Sequence, residues 1–390
     1  MDLPLVVAAT PPWSIDPAIA IAASRAGGLG VLDLQYAQQI DQALAGVARL
    51  DRFTSTAYGI KVSPFNGELL EAILAERPER LSTVCLAGAG AGRLAETVAR
   101  LRDAGAACWV EAVSIAEARR AAKAHVAGIL LKGHEAAGRI GPETSLVFVQ
   151  HWRALAADQG FEALPFWVQG GIGLNTAAAC QVAGAAGVVL DSQLLLTREA
   201  NIDERRRRQI ESSDGSETVE VGRVLGVGTR VWSSGQNELV AKLETEATRL
   251  AAASLSEAER DAKWHETIAS HADEGLWLCG QDVAFARKLA DQYVTVGGVI
   301  DGLRRQVAAN RRLAAEHRPL AADAPLAASH RTKYPLLQGP MTRVSDTAPF
   351  AEAVAAAGGL PFLALALLRG KEAEQTISET ASRLGDRSWG

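Results

Sequence analysis

Four side chains of different chemistry fall close together in residues 126–141, Val-Ala-Gly-Ile-Leu-Leu-Lys-Gly-His-Glu-Ala-Ala-Gly-Arg-Ile-Gly. Lys132 offers a cation for an anionic partner or, deprotonated, an amine that attacks a carbonyl. His134 is the one side chain here that can take up a proton near neutral pH. Glu135 can pair with Lys132 in a salt bridge. Arg139 stays protonated and can bind an anion but cannot act as a base. Gly133, Gly138 and Gly141 let the backbone turn sharply and approach a ligand closely. The bland alternative, a strand-to-helix connection carrying solvated charges, stays open at this point. Lys61 has the same two readings, site cation or salt bridge.

A second kind of chemistry is suggested by Gln169-Gly170-Gly171-Ile172-Gly173 and by Asp191-Ser192. Tight turns with free backbone N–H groups hold phosphate without needing a bulky cation. Asp191 would oppose a phosphate unless its carboxylate points away. A glycine turn required only by chain geometry is the alternative. His125, His151, His265, His271, His317 and His330 fall in helical patterns or in a linker and suggest no role.

Such residues need a scaffold, and the surrounding pattern supplies one. Short apolar runs at 3–9, 31–34, 58–62, 81–86, 107–113, 126–131, 165–168 and 187–190 read as buried parallel strands. Helical patterns alternate with them, at 38–50, 66–76, 91–103, 114–123, 144–157 and after Asn175. Strand–helix alternation at this spacing means parallel pairing through right-handed crossovers, and eight units close a (β/α)8 TIM barrel. A doubly wound open sheet would place a glycine-rich turn after its first strand, where this chain has Ala9-Thr10-Pro11-Pro12-Trp13. In a barrel, both suspect stretches lie at the carboxyl ends of strands, where chemistry is placed. The predicted layout is a barrel core over 1–200 and a helical extension over 201–318, with helices near 239–253, 257–270, 281–292 and 298–316 and one short strand at 218–221. A linker follows over 319–332.

The sequence then begins again. Pro335-Leu336 repeats Pro4-Leu5 at an offset of 331, and Ala357-Gly358-Gly359-Leu360 repeats Ala26-Gly27-Gly28-Leu29 in the same register. Residues 333–390 are therefore expected to be the first two βα units of a second, truncated barrel within a longer polypeptide.

Composition narrows the function classes. A net charge of −5 over 390 residues argues against a dedicated nucleic-acid binder. The basic run Arg205–Arg208 reads as a solvated face. Four widely spaced cysteines without a CxxC pair read as reduced core residues of a cytoplasmic protein. No charged leader with an apolar core opens the chain, and no apolar run reaches the roughly 18 residues of a membrane span.

The chain resembles the nitronate monooxygenase (2-nitropropane dioxygenase-like) family of FMN-binding barrels. The resemblance rests on Ala26-Gly27-Gly28-Leu29-Gly30, on the loop 132–141, on Gln169-Gly170-Gly171-Ile172, and on the segment from Gly187 through Ser192 to Ala200. It also rests on Gln338-Gly339-Pro340-Met341 in the repeat. It implies FMN as cofactor, with Lys132, Gly133, Gly138, Gly141, Gln169, Gly170, Gly171, Asp191 and Ser192 around it. Lys132 would lie at the flavin's ring edge. Arg139 stands where the family has its catalytic histidine, and His134 is the candidate substitute base. Ala9-Thr10-Pro11 replaces the family's Gly-Pro-Met. Tandem copies are also similar to domains of polyketide or polyunsaturated-lipid synthases, which implies a small-molecule or acyl-chain substrate and neighbouring domains as partners.

Three readings follow. One is an FMN-dependent oxidoreductase. The second is a catalytically degenerate barrel that keeps the fold as a scaffold for the second repeat. The third is a phospho-sugar aldolase or isomerase built on Lys132 and Glu135.

Overall fold

The computed structural model describes residues 3–76, 78–89 and 93–390. The start of the helix expected at 91–103, and the first two residues of the chain, lie outside these. Contacts divide the chain into two compact units, one ending at Ala308 and one over Ala309–Gly390.

In the first unit the strands are β1 (Val6–Ala9), β2 (Leu29–Asp33), β3 (Tyr58–Val62), β4 (Leu81–Leu86), β5 (Ala107–Ala112) and β6 (Gly128–Lys132). They continue as β7 (Gly138–Ile140), β8 (Phe166–Gln169) and β9 (Gly187–Leu190). All but β7 pair in parallel around a closed eight-stranded barrel, with β9 returning to β1 through Val6↔Val188 and Ala8↔Leu190. Nearly every barrel-strand residue is buried, as expected for strands covered on both faces.

The two-residue period of a strand sorts these side chains. Val7, Val31, Trp109, Leu130, Trp167 and Val189 pack with one another inside the barrel. Their neighbours Val6, Leu32, Val110, Ile129, Val168 and Val188 pack in the outer cluster, which includes residues of the surrounding helices. Trp109 and Trp167 stack in the interior with ring centroids 3.9 Å apart. One step further along, the same alternation points Asp33, Lys61, Glu111, Lys132, Gln169 and Asp191 into the carboxyl-terminal mouth.

Residues 201–318 were expected to add helices and one isolated strand. They also add a sheet. β10 (Thr218–Val221) and β11 (Gly228–Trp232) run antiparallel, and β11 pairs antiparallel with β7 through Gly228↔Ile140 and Thr229↔Arg139. The loop after β6 is thus partly a strand. Three residues are too few to show a period, and their partner lies some ninety positions away. Helices Asn237–Ala252 and Glu257–Asp273 pack on this sheet through Val221, Val231, Leu243, Leu250, Trp264 and Ile268. The second opens with a capping box, Ser256 with Glu259.

In the second unit a short helix, Pro325–Ser329, lies within the stretch expected to be a linker. β12 (Leu337–Gln338) and β13 (Leu360–Pro361) pair in parallel. Helices Ala348–Ala356 and Lys371–Leu384 follow them. Ala351, Leu363 and Leu384 form a small core. Among the described residues, no helix is long and apolar enough to cross a membrane.

Candidate active site

The mouth contains a chain of buried charges. Lys61 Nζ lies 3.0 Å from Asp33 Oδ2 and 2.7 Å from Glu111 Oε2, and Lys132 Nζ reaches the same Glu111 oxygen at 3.2 Å. All four side chains are almost wholly buried. Burial opposes the Lys61 ammonium, but Asp33 and Glu111 outweigh it and hold its pKa well above the usual lysine value. Burial alone would raise Glu111, yet Lys132 and Lys61 pull its carboxyl down to about 2. For Lys132 burial wins over Glu111, and its pKa is lowered. Lys132 pairs with Glu111 and not, as anticipated, with Glu135. Glu135 turns away and accepts from the Ser145 N–H at 3.0 Å and the Ser145 hydroxyl at 3.0 Å. It serves the N-terminus of helix Ser145–Gln159, where a carboxylate complements the helix dipole. This removes the partner that the aldolase reading needed.

Arg139 is locked. Its Nη1 donates to Glu117 Oε2 at 3.0 Å and its Nη2 to Glu117 Oε1. Burial works against the guanidinium, but Glu117 raises its pKa further above an already high value. His134 does not join it. The His134 ring bonds the Gly141 carbonyl through Nδ1 at 3.0 Å, and its Nε2 lies 3.9 Å from Glu220. A substitute base at the mouth is therefore not formed by His134.

The glycines divide in the same way. A Cβ on Gly133 would lie 2.1 Å from Ser145 Oγ, and one on Gly141 would lie 1.8 Å from the Val113 carbonyl. Both admit other parts of the protein, and neither admits a ligand. At Gly138, with φ +72°, a Cβ would lie 4.0 Å from both Lys132 Nζ and the Tyr36 hydroxyl, in ordinary contact.

The two expected phosphate turns test whether FMN fits. Gly170 and Gly171 adopt positive φ values of 103° and 67°, a tight turn that glycine makes readily. The turn is filled from within the chain. The Gly171 N–H donates to Asp282 Oδ1 at 2.6 Å. Gln193 Nε2 donates to Asp282 Oδ2 at 2.8 Å and to the Ile172 carbonyl at 3.0 Å. The second turn is equally committed. The Asp191 N–H donates to Gln193 Oε1 at 2.8 Å, the Ser192 N–H to the Asp191 carboxylate, and Ser192 Oγ accepts from the Gly280 N–H at 2.9 Å. Gln169 Nε2 donates to Asp191 Oδ2 at 2.8 Å.

Asp282 is 1% exposed, and burial together with Asp191 raises its pKa well above that of an ordinary aspartate. Two carboxyl groups thus stand where a phosphate dianion was expected. The residues do not fit that group, and Gly170, Gly171, Asp191 and Ser192 are corrected from phosphate ligands to partners in an internal network.

Segment 276–282 delivers Asp282. It crosses the 135–137 loop so tightly that a Cβ on Gly280 would lie 2.8 Å from both the Glu135 carbonyl and the Ala137 N.

On the opposite side of the mouth a cavity of about 240 Å³ remains. Its lining includes Gln35, Tyr36, Phe65, Arg139, Trp264 and His265. Tyr36 follows β2, and its ring stacks on His265 with centroids 5.0 Å apart. Burial and, less strongly, Arg139 lower the His265 pKa to about 4. Sequence reasoning missed Asp33, Glu111, Tyr36, Gln193, His265 and Asp282. For Asp33 and Glu111 a signal existed, since each lies two residues beyond an inward-facing apolar residue of its strand. For His265 and Asp282 only the tertiary structure connects them to the mouth.

A profile of the nitronate monooxygenase family matches residues 70–303, more than half of the chain, and the chain belongs to that family. It is 26% identical over 238 residues to the (3aS,4S,5R,7aS)-5-hydroxy-7a-methyl-1-oxo-octahydro-1H-indene-4-carboxyl-CoA dehydrogenase of Mycobacterium tuberculosis, covering 60% of this chain and 63% of that protein. It is 28% identical over 238 residues to the nitronate monooxygenase npaC of Metarhizium robertsii, covering 55% and 65%. The chain thus spans less than two thirds of the length of these curated relatives. The barrel fold is shared with FabK from Thermotoga maritima, at a TM-score of 0.63 and 20% identity over 80% of this chain and 96% of that one.

Proposed function

From this family membership, we propose that the chain is a degenerate member whose barrel no longer holds FMN and works as a binding and scaffold domain. The observation that carries the reading is the Asp282 carboxyl group on the Gly171 N–H. A buried acid there supplies the acceptor that a phosphate would supply and already occupies the donor that an incoming phosphate would need. Two further features agree. Arg139, paired with Glu117, cannot abstract a proton, and the charges of the mouth neutralise one another. The scaffold role extends to the second unit, where β12, β13 and their helices follow the order of β1, β2 and theirs at the 331-residue offset. We take that unit to begin a second copy in a larger synthase, which the first copy would support.

A second reading, the FMN-dependent oxidoreductase acting on a small molecule or acyl chain, is favoured by the tight positive-φ turn at Gly170 and Gly171. One experiment separates the two. The purified chain is scanned for flavin absorbance, denatured, and any released cofactor identified. It is then incubated with excess FMN and desalted. The expected outcome is a folded, colourless protein that retains no FMN, and an Arg139→His variant that gains no nitronate oxidation. Stoichiometric FMN in the purified protein would overturn the proposal and return the oxidoreductase to first place.

A further inference from the structure

The cavity beside Tyr36 is not explained by a scaffold role, because a domain that only supports its neighbour has no need of one lined by unpartnered polar groups. Gln35 and Tyr36 are 3% and 5% exposed. Among the described residues, nothing hydrogen-bonds the Tyr36 hydroxyl, the Gln35 side-chain amide or the His265 ring nitrogens. The His265 ring is only half-buried and none of these atoms is sealed from solvent, so each can bond a guest that enters the cavity. Their positions agree, since all three line the same cavity.

The chemistry of the partner can be read from the walls. Burial raises the Tyr36 pKa beyond its ordinary value, so the phenol keeps its proton and acts as a donor. Gln35 offers a donor and an acceptor side by side. His265 is neutral above its depressed pKa of about 4 and adds one donor and one acceptor. Phe65 and Trp264, with the stacked Tyr36 and His265 rings, give flat aromatic surface. Arg139, half-buried in the lining, has two of its nitrogens on Glu117 and is already neutralised. Arg120, Glu257 and Asp261 also line the cavity. A volume of about 240 Å³ lies below the roughly 300–1,000 Å³ of pockets for drug-sized ligands.

We infer that this cavity binds a small, planar, uncharged molecule carrying a carbonyl or amide group, with the carbonyl oxygen accepting from Tyr36 and the amide edge pairing with Gln35. The inference goes beyond the scaffold reading and does not depend on it.

The test uses three probes of one shape and different charge: benzamide, benzoate and benzamidine. Each is titrated into the full chain, with Trp264 fluorescence and protein NMR shifts as readouts. Saturable binding of benzamide is expected, with benzoate and benzamidine about tenfold weaker or worse. Tyr36→Phe, which keeps the ring, and Gln35→Leu should each weaken benzamide by roughly three- to tenfold, the range set by one hydrogen bond. Thermal unfolding of both variants checks that they remain folded. Overturning results are a folded protein that does not bind benzamide, equal binding by both variants, or a preference for benzoate, which would make the cavity an anion site of Arg139. A parallel titration with FMN reads the preceding proposal separately, since FMN binding there would leave the benzamide result intact.

Discussion

The two sides of the barrel mouth solve the same problem in opposite ways. Beside β8 and β9, every polar group described finds its partner within the chain, through Asp282, Gln193, Asp191 and Ser192. Beside β2 and β7, Tyr36, Gln35 and His265 surround a cavity and remain without hydrogen-bond partners. The closed side has a tight glycine turn whose donors are taken; the open side has a vacancy but no net charge to hold an anion. Fold alone therefore does not transmit cofactor chemistry. What transmits it is whether the donors at the strand ends are left free.

The charge chain lies between the two sides, and cutting it should have the largest effect. Lys61→Met removes the cation shared by Asp33 and Glu111, leaving the buried Asp33 carboxylate without its ion-pair partner and Glu111 with Lys132 alone. A loss of about 3–5 kcal/mol is expected, measured by chemical denaturation; a loss below about 1 kcal/mol would mean the chain of charges is well solvated.

Next, Asp282→Ala should convert the closed side into an open one. It strips the Gly171 N–H of its acceptor and the Gln193 amide of one of its two, at a cost of about 1–3 kcal/mol. Inorganic phosphate should then raise the unfolding temperature of the variant and leave the parent unchanged. An equal phosphate response in both proteins would show that Asp282 does not fill the turn.

A smaller effect should come from His265 on the open side. Its folded pKa, about 4, lies below the ordinary 6.5. Between these values the unfolded chain binds more protons than the folded one, so stability falls as the pH drops through that window and is level above it. Partial exposure of the ring reduces the expected loss to on the order of 1–2 kcal/mol. The difference between parent and His265→Phe in unfolding free energy, followed from pH 7 to pH 4, checks it. A difference that does not vary with pH would place the imidazole in contact with water.

Much of the barrel was legible because its strands are continuous apolar runs with abrupt ends. β3, β4 and β9 lie where the sequence places them, at 58–62, 81–86 and 187–190. The site was less legible. Lys132 and Arg139 were identified from residue type, but their partners Glu111 and Glu117 come from other strand–helix units, and no local pattern links them. Glu135 looked like the natural partner of Lys132 because it is near in sequence. In the fold it points the other way, toward the open end of helix Ser145–Gln159. The Gly170-Gly171 turn was recognised as a tight glycine turn, and both residues do take positive φ. Conformation does not reveal the occupant, and Asp282 comes from more than a hundred residues downstream.

β7 has a consequence for timing. Arg139 sits in a ladder with Thr229, so the wall of the cavity is woven into the cap sheet. The β10–β11 sheet cannot swing aside as a hinged lid without breaking backbone hydrogen bonds. Traffic through the cavity should therefore not require movement of this sheet. Exchange of a small guest should be limited by diffusion and by the guest's own affinity, with no slow opening step, and amide protons of β7 should stay protected from solvent deuterium while guests come and go.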